Sequence, residues 1–268
     1  MKEKLSVSVI LPIKSSKVKD FEEYFTKAIA SIKNQKVDIE ELLIIHTQEE
    51  SLVQILNTFD FGDLNVTKLL WDKRPNYCAQ VNFGIEKAKG TWVSLFEFDD
   101  EYSNIWFDNV MKYSKSYPNV QMFLPVVVET DDKGTFAGFT NEATFAANFT
   151  QEMGYLSNDT LQDYQNFQTA GCVFKKELTS DFGGFKPSIK LTFIYEFLLR
   201  LTYNSVSIMT IPRLGYKHTN LREGSIFWNY KFGEEKMIDE EVKFWIQSAK
   251  REYFFTDDRV INFQSENT

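Results

Sequence analysis

The chain has 268 residues, 43% hydrophobic and 16% aromatic, which is enough apolar surface for an independent core in one large domain or two small ones. Its formal net charge is -8 and its 30 Lys and Arg residues are scattered, so it lacks the basic block that tracks nucleic-acid backbones. No apolar run reaches the roughly 18 residues a membrane span needs, and two cysteines, Cys78 and Cys172, exclude a disulfide framework or a Cys-based zinc site and fit a reducing, cytoplasmic setting.

At the N-terminus, basic residues precede "VSVILPI". That run is short, interrupted by serine and followed by no small-residue cleavage site, so it reads as a first buried strand and not as a signal peptide. "DFEEYFTKAIASIKNQ" places Phe21, Tyr24, Phe25, Ala28, Ile29 and Ile32 on one helical stripe, with Asp20 as the expected N-cap. Strand "ELLIIH", short helix "SLVQILNTF", strand "VTKLLW", helix "YCAQVNFGIEKAKG" and strand "TWVSLFEF" follow. This alternation predicts an α/β fold with a Rossmann-like, mostly parallel central sheet flanked by helices, in which ligands bind beyond the carboxyl ends of the strands.

Beyond Ser103 come a helix through Trp106 and Tyr113 and a strand "VQMFLPVVVE". Residues 131–166 read as irregular, aromatic-rich loops that cover something. Strand "GCVFKK", a Gly183-Gly184 turn, helix "TFIYEFLLRLTY", strand "VSIMTIP" and a polar loop "GYKHTNLREGS" lead to an amphipathic helix from about Glu234 to Tyr253. The apolar stripe of that last helix has two uses open to it, the body of the chain or a second copy in a homo-oligomer.

The densest chemical signal is "FEFDDEY". On a continuing strand Glu97 and Asp99 share one face and Asp100 takes the other. Carboxylates converging at a strand end repel unless they share a cation or one is protonated. Hard oxygen donors suit Mg2+ or Mn2+, which keep positions open for substrate phosphates. A solvated turn is the competing reading.

On these residues the chain resembles family 2 glycosyltransferases, which have the GT-A fold. "VSVILPI" is similar to their opening strand, and "NFGIEKAKGTWVSLFEFDD" to their Asn-x-Gly helix, strand and Asp-x-Asp-Asp segment. "TAGCVFKKELTSDFGGF", "YEFLLRL" and "GYKHTNLREGS" resemble their acceptor-side strand and Gly-Gly-Phe turn, following helix and late His/Arg loop, so the likeness spans roughly residues 5–228. It implies one GT-A-type unit with a nucleotide-sugar-binding half at 1–103, an acceptor-side half at 104–233 and a C-terminal helix at 234–268.

The resemblance further implies a nucleotide-diphospho-sugar donor held through a divalent cation, Mn2+ or Mg2+, at the acidic segment. Asp99 is the first metal contact, supported by Glu97 and His218, with Asp100 as a catalytic candidate beside them that supports the metal, ribose or a bound water. Donor contacts fall on Pro12, Lys14, His46, Asp72, Arg74, Asn82, Glu97 and Arg222. Trp228 and Gly171 fall on the acceptor side. Glu97 stands where the family has the first Asp, Lys14 where it often has Asn, and His46-Thr47 where it has acids that read the base.

The larger departure concerns the base. Phe193 and Ile194 occupy the usual Glu-Asp positions, which makes Glu196 the nearest candidate, with Asp181, Asp159 and Asp163 behind it. A structural pairing of Glu196 with Arg200 at i,i+4 competes with a catalytic role. The expected activity is sugar transfer to an acceptor hydroxyl on a saccharide or glycoconjugate. A hydroxymethylated DNA base is the alternative acceptor, and a binding module that has lost its base is the alternative class. Nucleotidyl transfer, a third possibility, lacks a triphosphate-binding signature.

Overall fold

Strand β1 (Val7–Ile13) is buried along nearly its whole length, as a run of β-branched and aliphatic residues at the centre of a sheet must be. Parallel partners β2 (Glu41–His46) and β4 (Trp92–Leu95) lie on its two sides, and β3 (Val66–Leu70) extends the parallel set beyond β2. The crossovers are α1 (Phe21–Lys33), α2 (Glu50–Thr58) and α3 (Tyr77–Lys87). The computed structural model describes residues 4–264.

The second part adds β5 (Glu101–Tyr102), α4 (Trp106–Ser116), β6 (Met122–Thr130), β7 (Phe136–Thr140), β8 (Tyr155–Leu156), α5 (Asn158–Asp163) and β9 (Val173–Lys175). It continues through α6 (Glu177–Phe182), α7 (Phe193–Tyr203), β10 (Ile208–Thr219), α8 (Ile226–Lys231) and α9 (Asp239–Glu252). Among the described residues the ten strands join one sheet, in the order β3-β2-β1-β4-β9-β6-β10-β5, with β7 on β6 and β8 on β10. Strand β9 runs antiparallel between β4 and β6, whereas β6 and β10 are parallel to each other. The sheet is therefore mixed, with its parallel run concentrated where the sequence shows strand-helix alternation.

Alternating side chains of the central strands feed two apolar layers. Ile10, Leu43 and Ile45 face the α3, α7 and α9 side, while Val9, Leu11, Leu42 and Ile44 face α1 and α4. Helix α9 spends its apolar stripe on the chain's own body: Trp245 and Ala249 are buried, and the Trp245 carbonyl accepts a 2.7 Å bond from Thr192 Oγ1.

Four local expectations are corrected. Asp20 lies in the left-handed region (φ 58) with no side-chain bond to α1, so it is not a side-chain cap. Residues 131–166 are not merely loops, because β7 and β8 add to the sheet and α5 follows them. The polar segment after "VSIMTIP" is not a loop at its start. Strand β10 absorbs a register irregularity around Pro212 and continues to Thr219, pairing with β6 and β5. Finally, β4 stops at Leu95, and the Asp100 N–H closes a turn on the Glu97 carbonyl, so the acids do not alternate along a strand.

Candidate active site

The acidic turn sits at the carboxyl end of β4, at the middle of the sheet, where the backbone leaves the parallel set. Gly171 holds the strand in place from beneath, its N–H donating to the Leu95 carbonyl at 3.0 Å and its carbonyl accepting from Trp106 Nε1 at 2.9 Å. Its φ is +69, and a Cβ there would stand 2.3 Å from the Tyr216 ring, so only glycine fits. Tyr216 in turn accepts the Glu97 N–H on its hydroxyl at 3.2 Å.

The end of β10 closes over this turn. His218 Nδ1 lies 3.0 Å from Asp100 Oδ2, and the Thr219 N–H donates to Asp100 Oδ1 at 2.8 Å. Thr219 Oγ1 donates to the Asp99 carbonyl at 2.7 Å. Arg222, just past the strand, donates from Nε to Asp99 Oδ2 at 2.5 Å and lays its guanidinium 4.8 Å from the centre of the Phe98 ring. Asp99, Asp100 and Arg222 are buried, whereas Glu97 and His218 keep partial exposure.

The electrostatics follow from this crowding. Desolvation, with Asp100 and Asp99 close by, pushes the Glu97 carboxyl up to about 8, against the pull of His218 and Arg222. Desolvation and Asp100 also raise Asp99, opposed by Arg222. Burial works against the His218 cation, but Asp100 and its hydrogen bond prevail and raise it to about 10, so the imidazole is charged at neutral pH. Two fixed cations and a group of acids thus face one partly open position.

A model of glycosyl transferase family 2 matches residues 8–177. The chain belongs to glycosyl transferase family 2. It has the GT-A fold, and the solved structures it resembles include S. aureus TarS 1-349 in complex with UDP-GlcNAc. That pair shows a TM-score of 0.65 and 15% identity, over 93% of this chain and 65% of the other. TarS 1-349 alone gives 0.64 and 14% over 92% and 79%, and its UDP complex 0.62 and 14% over 92% and 78%. This chain therefore spans just under two thirds of the first of these. No curated protein matches.

In this member of the family the structure brings Glu97, Asp99, Asp100, His218 and Arg222 together. Pro12, Lys14 and His46 meet at the carboxyl ends of β1 and β2, where Ile13 pairs with His46 and the Lys14 carbonyl accepts Thr47 Oγ1. His46 is buried with Nδ1 at 2.9 Å from the Thr47 carbonyl, while Asp72 and Arg74 are exposed just after β3. Trp228, on α8, is half-buried in the wall of a cleft beside Arg222.

Three candidates have structural work instead. Asn82, expected at the donor, spends its side chain on the Gly-Gly-Phe turn, donating to the Phe185 carbonyl at 2.7 Å and accepting the Phe185 N–H at 2.9 Å. Gly171, expected at the acceptor, is the packing glycine under β4. Glu196, the candidate base, is fully buried: Arg200 grips both its oxygens at 2.9 Å and Lys186 Nζ lies 3.1 Å away. It does not reach solvent, and the i,i+4 reading prevails. Asp181, Asp159 and Asp163 are exposed on α6 and α5.

Sequence reasoning missed Tyr216 and Thr219. Once β10 is known to run through His218, period-two alternation puts Tyr216 on the His218 face, but Thr219 contributes a backbone N–H that no side-chain pattern shows. It also missed Glu49, which accepts from Ser15 Oγ (2.5 Å), Ser16 N–H (3.0 Å), Ser16 Oγ (2.6 Å) and Ser51 Oγ (2.9 Å) and so ties the segment after β1 to the start of α2.

Proposed function

We propose that this enzyme moves a glycosyl group from a nucleoside-diphosphate sugar to an acceptor hydroxyl of a saccharide or glycoconjugate, with a divalent cation at the Glu97–Asp100 turn. The observation that carries the reading is the pair of contacts, Arg222 to Asp99 and His218 to Asp100, which hold two cations against acids at the carboxyl end of a central strand. Because TarS has been seen with UDP and UDP-GlcNAc, uridine nucleotides come first among the donors to test.

The donor chemistry fits Mn2+ or Mg2+ in part. The Glu97 carboxylate accepts no hydrogen bond among the described residues, Asp99 has one oxygen free of Arg222, and His218 turns Nδ1 to Asp100, which leaves Nε2 as a donor. No three His, Cys, Asp or Glu side chains among the described residues are grouped as a metal shell, so phosphate oxygens and water would complete the coordination. When bound, the cation would neutralise charge on the departing diphosphate.

The chain's own residues supply the rest. Arg222 is placed to bond phosphate oxygens, with Phe98 fixing its plane, and Asp100 orients His218. To act as a ligand through Nε2, the charged His218 would give up its Nε2 proton and keep Nδ1–H on Asp100, so cation binding would release acid. Lys14, Pro12 and His46 stand where the nucleoside would lie, and Asp72 and Arg74 flank it.

Thermal stabilisation by UDP, GDP, TDP and CDP, each with Mn2+ or with chelator, tests this reading. We expect selective, cation-dependent stabilisation that Asp99→Asn abolishes. If no nucleotide raises the melting temperature under either condition, the donor site is refuted.

A further inference from the structure

On either side of Arg222 the chain enters a second feature, a cleft of about 380 Å3 whose wall includes Thr130, Asp131, Asp132, Asn220, Glu223 and Trp228. Thr130 is 5% exposed, and its buried Oγ1 finds no hydrogen-bond partner among the described residues. A buried hydroxyl without a partner is uncommon and calls for a bonding group, a water, an ion or a ligand, beside it. Asn220 is held by its N–H on the Thr130 carbonyl (2.8 Å) and by Nδ2 on Glu129 Oε2 (2.8 Å), which leaves its amide oxygen unused. Trp228 offers a half-buried aromatic face.

The charge on this wall is one-sided. Asp131, Asp132 and Glu223 contribute three carboxylates, no Lys or Arg lines the cleft, and neither the Asp132 nor the Glu223 carboxylate has an ion pair among the described residues. Carboxylates accept hydrogen bonds from hydroxyls and repel phosphates and other carboxylates. We propose that this cleft binds the acceptor, and that the acceptor is a saccharide carrying no phosphate or carboxylate, stacked on Trp228 and bonded through its hydroxyls to Thr130 and Asn220. The inference rests on the glycosyltransferase reading above and adds the acceptor's chemical class, with Asp132 and Glu223 as the residues that reject anions.

The test is saturation-transfer NMR on the full chain with neutral tetrasaccharides (cello-, malto- and chito-oligomers), a galacturonate tetrasaccharide and a ribitol-phosphate oligomer. At least one neutral oligomer should bind and the anionic ones should not. Trp228→Ala and Thr130→Val should each weaken the neutral ligand tenfold or more. Asp132→Asn with Glu223→Gln should strengthen anionic ligands by roughly threefold per carboxylate removed, the size of a water-screened interaction across ~6 Å. Nucleotide stabilisation measured on the same variants should not change. That control separates the two ideas, because loss of nucleotide binding by the native chain would sink the donor site while leaving saccharide binding to be read directly. The acceptor proposal is overturned if no saccharide binds, if an anionic oligomer binds best, or if Trp228→Ala binds the neutral ligand like the native chain.

Discussion

Glu196→Gln separates a catalytic carboxylate from a structural one. The side chain sits at 0% exposure between Arg200, which bonds both oxygens at 2.9 Å, and Lys186 at 3.1 Å. Removing the negative charge leaves two buried cations together, and breaking such a pair on one side costs about 3–5 kcal/mol. Both cations keep carbonyl partners, Arg200 on Gly183 (2.7 Å) and Gly184 (2.8 Å) and Lys186 on Glu252 (2.7 Å), so the lower end applies. At about 2–4 °C per kcal/mol for a chain of this size class, a loss of about 3 kcal/mol lowers the melting temperature by about 6–12 °C. Calorimetry measures that shift, and nucleotide release at a temperature where the variant is folded measures turnover, which should stay within a few-fold of native. Losing a general base instead costs roughly 10²–10⁴ in rate. A variant that melts like the native protein but has lost turnover on that scale would refute the structural assignment.

Gly171→Ala should destabilise by about 1–3 kcal/mol, because φ is +69 and the new methyl meets the Tyr216 ring at 2.3 Å; urea titration reads it. Asn82→Ala should cost about 2 kcal/mol of stability by stranding the Phe185 N–H and carbonyl, with nucleotide affinity unchanged for the folded protein; an affinity loss without a stability loss would restore a donor role. Hydrogen bonds from Ser15, Ser16 and Ser51 outweigh desolvation and hold the Glu49 carboxyl at about 2, below its ordinary 4.5. Its stabilising contribution is therefore complete above pH about 4.5 and lost as pH falls towards 2. Melting temperatures of native chain and Glu49→Gln should differ at pH 6 and converge near pH 2.

The strand-helix alternation of residues 5–95 was readable because each element has its own hydrophobic period. The acids at the end of β4 were readable as a chemical anomaly after an apolar run. The partners of those acids were not. His218, Thr219 and Arg222 reach Asp99 and Asp100 across separations of 118 to 123 residues. Residue type announces a capacity to bond and is silent on the partner, which is why Asn82 and Glu196 looked like site residues. Both are polar groups near the right elements, and both are consumed by the Gly183–Phe185 turn and the side chains around it. The end of β10 looked like a loop because "GYKHT" is polar. What makes it a strand is the edge that β6 and β5 offer, a tertiary property.

The late arrival of β10 bears on how the chain is made. During synthesis the Glu97–Glu101 segment emerges more than a hundred residues before the strand that neutralises it, and contacts of such high sequence separation form slowly. Until then the carboxylates lack the partners that β10 and Arg222 bring and stay hydrated. A nascent or truncated chain ending before Ile208 thus lacks the contacts that order the acidic turn, and that turn is completed in the same step that completes the sheet.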